Sequence, residues 1–398
     1  MAISSPERVR DDLTRLLHRG AGVREFSLAA ARILARSVPF DGVCVLTMDP
    51  ATLVPTGEVV ENGLPPEATS QMTEIEMRGD DFNAFATLAR APWQAATLSS
   101  ATGGDLDRSQ RHRELRGPGG FGDELRAVLT DDSTTWGALT LLRASDRPDF
   151  AAADAHMVAT VTAQLAEGLR RATLLNGQRR EGEHEQSDGL VLLEADNSIS
   201  FADLPAEMWL ADLAAGEPGE PLPPVVAAVA ARARSIAGGH APDDAIARAR
   251  VRTASGQWLV VRGTTIGDQA GGQTAVMIEP ARPHELAPLA AEAYELTERE
   301  RAVTELVAQG LATAAIADRL WISAWTVQDH LKSIFEKVGV GTRGELIARV
   351  FLAPDVPGLT DGQAQSRRPG TDVSALQPVR AWDPSQNGLR AESPQRHR

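Results

Sequence analysis

LTERERAVTELVAQGLATAAIADRLWISAWTVQDHLKSIFEKVGVGTRGELI, residues 296–347, is the stretch from which the rest of the chain is read. It breaks into four short helices. Thr297 with Glu300 three residues on is a capping-box pair, hydroxyl and carboxylate each meeting a free amide at a helix start. Val303, Leu306 and Val307 supply the apolar face of that helix, and Gly310 is placed to end it in the left-handed region. Thr313 is expected to cap a second helix carrying Ile316, Ala317 and Leu320, and Ser323 to cap a third. Thr342 and Glu345 repeat the capping box before Leu346, Ile347, Val350 and Phe351.

The third helix is the informative one. Val327, Leu331, Ile334 and Val338 recur at helical period and make one buried stripe. Half a turn away stand Trp325, Asp329, Lys332 and Glu336, with Thr326, Gln328, Ser333 and Lys337 beside them. A short helix held by two others, polar side outward, has the layout that enters a DNA major groove.

On these residues the stretch resembles the LuxR/NarL-type helix-turn-helix domain. The matching positions are Leu296-Thr297, Arg299-Glu300, Val303, Gly310, Ile316-Ala317, Leu320, Ser323, Thr326-Val327, His330, Lys332, Gly339-Val340, Arg343 and Leu346. The resemblance implies a recognition helix over 324–338, a fourth helix that serves as a dimer contact, and Thr326 and Lys332 on or near DNA. It also marks a departure. The position two before His330 is often a Lys in that family, and here it is Gln328, followed by Asp329. Gln can still pair with adenine, but one electrostatic contact is lost. Residues 294–352 hold seven Lys/Arg against eight Asp/Glu. Phosphate neutralisation dominates affinity, so one copy should bind weakly and a homodimer is expected. The expected groove contacts are Trp325, Thr326, Gln328, Asp329, Lys332 and Ser333, and the expected phosphate contacts are Arg299, Arg319, Lys337 and Arg343. His330 reads as half-buried support for the helix.

Composition bounds the remainder. The chain has 398 residues, 42% of them hydrophobic, and a formal net charge of −14, which allows several cores and argues against a nucleic-acid surface spread over the whole molecule. No apolar run of membrane-spanning length and no signal-peptide pattern follows Met1, so a cytoplasmic protein without a membrane partner is expected. Cys44 is the single cysteine, which rules out an internal disulfide, and it reads as a small buried hydrophobe. Only two of 40 Lys plus Arg are lysine, Lys332 and Lys337. No Gly-Lys pair exists, so a Walker A phosphate loop is excluded, and so is a receiver domain, which needs a later Lys. The eight histidines are scattered, without HExxH or a His-Cys cluster, and there is no GxSxG elbow. No metal, cofactor or catalysis is expected.

Upstream, helices are expected over 6–19 and 24–37, a hairpin from Gly42–Met48 and Leu53–Val60, a helix-rich insert near 66–90, strands over Glu124–Leu129 and Trp136–Leu142, and one long helix over 151–175. That order resembles a GAF domain, which implies a small-molecule pocket or a dimerisation unit. Trp93, Phe121 and Trp136 are the candidate ligand-binding residues, with Arg111, His112 and Arg113 at a loop. Core packing or a solvated loop is the ordinary reading of each. Residues 176–188 read as a linker. A hairpin at 189–201, helices at 203–213 and 224–236, and strands at 246–253, 257–264 and 274–279 give an order that resembles a PAS domain. There Arg248, Arg250 and Arg252 alternate onto one face, ordinarily a solvated one, with an anion site or a docking surface for the DNA-binding domain as the sharper alternative. From 354 onward Pro, Gly, Gln, Ser and Arg dominate, and disorder is expected.

The expectation is therefore a multidomain α+β chain. A GAF-like sensory or dimerisation domain fills 1–175, a linker 176–188, a PAS-like domain 189–282, an all-α four-helix LuxR-type domain 290–353 and a tail 354–398. Its function would be transcription regulation on double-stranded DNA, with RNA polymerase and an unidentified small-molecule effector as further partners. The rival is a protein-interaction sensor or scaffold whose helical domain no longer reads DNA.

Overall fold

The computed structural model describes residues 6–131, 134–175, 187–214, 222–242, 244–267, 272–282, 285–286, 288–289, 294 and 296–352. The expected linker, Ser187 and Asp188 excepted, and the expected tail lie outside them.

The first lobe is a five-stranded antiparallel sheet of order β2-β1-β5-β4-β3. Its strands are β1 Gly42–Met48, β2 Pro55–Glu61, β3 Ala95–Thr97, β4 Phe121–Asp131 and β5 Thr134–Ala144. The period-2 alternation sorts its side chains. Val43, Val45, Leu125, Leu129, Leu139 and Leu141 join one large core, packed under α1 Pro6–Leu17, α2 Val23–Leu34 and the C-terminal helices of the lobe. The opposite face carries Met48, Val128 and Ala138 against Phe85 and Leu88, and lies near α3 Pro66–Arg78 and α4 Phe85–Leu88. β3 and the short α5 Leu98–Thr102 are additions to the expected order.

The long helix expected over 151–175 is two, α6 Ala152–Ala159 and α7 Thr162–Leu175. The break falls in Thr160-Val161-Thr162, three β-branched residues in a row. Thr160 Oγ1 donates to the Met157 carbonyl at 2.7 Å and Thr162 Oγ1 to the Ala159 carbonyl at 3.1 Å, so both hydroxyls compete for helix acceptors. In α7, Gly168 is required: a Cβ there would collide with the Phe26 ring.

The second lobe repeats the strand order in β7-β6-β10-β9-β8. Its elements run β6 Gly189–Leu193, β7 Ile199–Ala202, α8 Leu204–Ala214, α9 Pro224–Ala237, β8 Arg248–Arg252, β9 Trp258–Ile266 and β10 Gln273–Pro280. Two strands, two helices and three strands is the expected succession. α9 (PVVAAVAARARSIA) is buried almost all round, Val225 through Ser235. Small alanines let it pack on the second sheet on one side and on α3 and β2 on the other. Val54, from the β1–β2 turn, is fully buried in the second lobe's core.

Ionic contacts cross the same boundary. Asp49, at the end of β1, accepts from Arg250 Nε at 2.9 Å, Arg250 Nη2 at 2.6 Å and the Arg250 amide at 2.7 Å, and both side chains are almost fully buried. Arg234 of α9 pairs with Glu74 of α3. The expectation of a solvated Arg248/Arg250/Arg252 face therefore fails at Arg250. The middle arginine is held by a carboxylate 201 positions away, a partner that no local pattern announces.

The C-terminal region has its own core and four helices: α10 Glu298–Ala308, α11 Thr313–Leu320, α12 Ala324–Val338 and α13 Arg343–Ile347, the last continued by a π-helical turn at Ala348–Leu352. No helix among the described residues is long and apolar enough to cross a membrane.

Candidate nucleic-acid interface

α12 starts where Ser323 accepts the Thr326 amide at 3.0 Å and ends at Gly339, whose φ of 70° is the left-handed stop a glycine tolerates best. Val327, Leu331, Ile334 and Val338 are at most 6% exposed, so the expected stripe is the buried one. Fully burying side chains of this size stabilises by about 1.5–3 kcal/mol each, enough to fix how the helix is rotated. With the stripe inward, Trp325 is 75% exposed, and Gln328, Asp329, Lys332 and Glu336 are exposed beside it. Thr326 and His330 are half-buried, and Arg299 and Arg319 are exposed. An open groove of about 670 Å³ runs along this side, lined among others by Gln328, Lys332 and Glu336.

The turn before α12 adds a feature the sequence did not flag. Trp321 ends α11 in the left-handed region, φ 56°, and is 93% exposed. It shares the entrance of α12 with Trp325. The expected N-cap of α11 is one residue late: Ala312 takes the cap position, and the Thr313 hydroxyl accepts Arg343 Nη2 at 2.7 Å.

Three expected DNA contacts have internal partners. Ser333 Oγ donates to Glu300 Oε1 at 2.6 Å, and Lys337 Nζ pairs with Glu300 Oε2 at 2.7 Å. Both side chains tie α12 to α10 and so turn away from the outer face. Arg343 donates to the Leu311 carbonyl and to Thr313, fastening α13 to the start of α11. Glu300 also closes the capping box, accepting the Thr297 amide at 2.7 Å. Burial pushes its carboxyl up, but the hydrogen bonds from Lys337, Ser333 and Thr297 outweigh that and hold it down at about 2. Glu300 is thus the hub of the helix junction, a role hidden behind its capping motif.

In the first lobe the three ligand candidates do not converge. Trp93 is 59% exposed, and Phe121 is buried at the far end of β4. Trp136 is buried and lines a cavity of about 420 Å³ between the lobes, and neither of the other two reaches it. Arg111, expected at a loop, is 1% exposed and bridges Asp81 and Glu124. His112 is buried in the π-helical turn that follows, and Arg113 stays at the surface beside Glu114. No group of acidic, His or Cys side chains among the described residues is arranged to hold a metal ion.

A helix capped by Ser323, clamped from behind by α10 and α11 and polar in front, defines a helix-turn-helix domain. Residues 294–350 match the family model described as bacterial regulatory proteins, luxR family, and this C-terminal domain belongs to that family. UhpA of Escherichia coli, a transcriptional regulatory protein, is 46% identical over 56 residues, 14% of this chain and 29% of that protein. DesR of Bacillus subtilis, also a transcriptional regulatory protein, is 43% identical over 67 residues, 17% of this chain and 34% of that one. The match thus spans only about a third of these relatives. Among solved structures, Escherichia coli SdiA aligns over 86% of this chain and 97% of its own at 12% identity and a TM-score of 0.31. The phycoerythrobilin-bound GAF domain of a cyanobacterial phytochrome aligns over 43% of this chain and 97% of its own, at 14% identity and a TM-score of 0.30.

Proposed function

We propose that the protein is a DNA-binding transcription regulator whose α12 enters the major groove. Trp325, Thr326, Gln328, Asp329 and Lys332 face the bases, and Arg299 and Arg319 flank the phosphates. Ser333, Lys337 and Arg343 leave the contact set because their partners are internal. The observation that carries the reading is the rotation of α12: its apolar stripe is buried, while the side bearing Trp325, Gln328 and Lys332 is open. The relatives matched over this region are transcriptional regulators by name. We divide the chain as a sensory lobe over 1–175, a second over 189–282 and the DNA-binding domain over 290–353. The lobes set how two copies present α12 to DNA, and no catalytic step is assigned to them.

The domain's charge balance, seven cations against eight anions, makes pairing of two copies necessary for useful affinity. The test is a fragment-selection and gel-shift experiment with the full chain, titrated with salt. Affinity should fall steeply as salt rises. Lys332→Ala should cost about 1–3 kcal/mol of binding and relax the sequence preference at the base pair it meets, with unfolding unchanged. DNA affinity insensitive to both salt and Lys332 would replace this reading with the protein-interaction scaffold, for which Asp329 and Glu336 on the exposed face are the supporting observation.

A further inference from the structure

The face of the first sheet turned toward α3 holds a second feature that groove reading does not use. By strand alternation Cys44, Leu46, Arg126 and Thr140 point the same way, and with Arg116 they line a cavity of about 80 Å³. Pro224 and Ala228 of α9, from the second lobe, form part of its wall. Arg116 is 6% exposed, and its Nε is buried without a hydrogen-bond partner, as is the Oε2 of Glu124 beside it. Its nearest charge is Glu124, with Oε2 at 3.7 Å from Nε. Arg126 is 3% exposed and stacks over Phe85 at 3.6 Å. It gives one hydrogen bond to Glu76 at 2.6 Å, which leaves its Nε and Nη1 buried without acceptors.

A buried donor left unpaired costs about 1–3 kcal/mol, more when charged, so several converging on one cavity call for an acceptor there. Three buried guanidiniums, Arg111, Arg116 and Arg126, share three buried carboxyls, Glu76, Asp81 and Glu124, and between them leave donors without acceptors. Glu58 also lines the cavity but is only half-buried. Guanidinium forks match planar carboxylates. The volume is that of about two or three waters, hence of a molecule of few heavy atoms. Leu46, Phe85 and Ala228 offer an apolar wall to its other end.

We infer that this cavity binds a short-chain carboxylate, its oxygens accepting the unpartnered N–H groups of Arg116 and Arg126 and its aliphatic end lying toward Leu46, Phe85 and Ala228. Because α9 closes the cavity, the bound acid touches both lobes at once. The inference concerns the sensory lobes alone and holds whatever α12 binds.

Two readouts on the full chain without DNA test it. Acetate, propionate and butyrate are compared with the matching neutral amides and with inorganic phosphate at equal ionic strength. Melting temperature reports binding, and methanethiosulfonate labelling of Cys44, the single cysteine, reports occupancy of this cavity. At ten times its dissociation constant a carboxylate should raise the melting temperature and slow labelling about 10-fold. Arg116→Gln should abolish both effects. Ala228→Met, which fills the cavity and leaves every charge in place, should abolish them too and decides the matter if the arginine variant fails to fold. Equal protection by the amides, a response to phosphate alone, no response to any probe, or a full response in Ala228→Met would each overturn the assignment.

Discussion

Glu124 in the first lobe and Glu300 in the C-terminal helical domain both have their carboxyls held at about 2, and they arrive there differently. Glu124 is fully enclosed. Burial drives it up, and the charges of Arg111, Arg126 and Arg116 overcome that. Glu300, whose side chain is also buried, is held down mostly by hydrogen bonds, from Lys337, Ser333 and its own helix start. The cations differ too: the Arg111 side chain is 1% exposed, the Lys337 side chain 33%. The lesson is that one pKa conceals two costs of removal. What matters is whether the abandoned partner can return to water.

The largest effect should therefore come from Glu124→Gln. Arg111 would lose its closest anion, Arg116 the charge nearest to it, and neither can reach solvent. We expect the first lobe to lose about 3–5 kcal/mol in urea unfolding. A loss below about 1 kcal/mol would mean the cluster relaxes freely, and the contrast with Glu300 would vanish. Asp49→Ala comes next, at about 3 kcal/mol, since it strands Arg250 between the lobes. Replacing both partners by leucine should cost much less than Asp49→Ala alone, because no buried charge is left over. A double-mutant cycle reads that difference, and additivity would argue against a coupled pair.

Glu300→Gln should cost about 2 kcal/mol near neutral pH, less than either, because Lys337 can rehydrate. Here pH sharpens the comparison. The folded carboxyl lies below its unfolded value of about 4.3, so the stabilisation is fully present above that value and disappears as pH falls toward about 2. The stability gap between wild type and Glu300→Gln should be flat from about pH 6 to 8 and close progressively below about pH 4. A gap that widened on acidification would reverse the sign and remove Glu300 from the junction.

Why Glu300 was half legible shows where sequence reading works. Thr297 and Glu300 are three residues apart, and their capping box is local, so both its hydrogen bonds were readable. The stripe on α12 is local as well, and its burial followed from spacing alone. The partners Ser333 and Lys337 lie 33 and 37 positions beyond Glu300, on a helix whose rotation places them sideways instead of outward. The wheel put them next to the polar face, and only the packing angle of α10 decides against it. Longer separations were opaque altogether. Asp81 and Arg111 are 30 apart, and Asp49 and Arg250 are 201 apart. Each is a charge that composition assigns to solvent by default. The burial of α9 follows the same logic. Its alanines read as an ordinary helix, and the first lobe that covers its outer side is remote in sequence.

The smallest expected effect tests whether the front of α12 is independent of the junction behind it. Ser323 accepts the Thr326 amide and shares a 2.8 Å hydrogen bond with the Thr326 hydroxyl, all at an exposed helix start. Removing the hydroxyl in Ser323→Ala leaves one amide to be met by water, so about 1 kcal/mol should be lost; Ser323→Gly should cost only a few tenths, because glycine tolerates the cap conformation and lets water in. Neither change touches Glu300, so both losses should persist unaltered from pH 7 to pH 3, where the Glu300 contribution is already fading. If the Ser323→Ala loss instead followed the same pH curve as Glu300→Gln, the two ends of α12 would be one cooperative unit. The open face would then depend on the α10 junction for its geometry, and substitutions at Lys332 or Trp325 could no longer be read as surface changes.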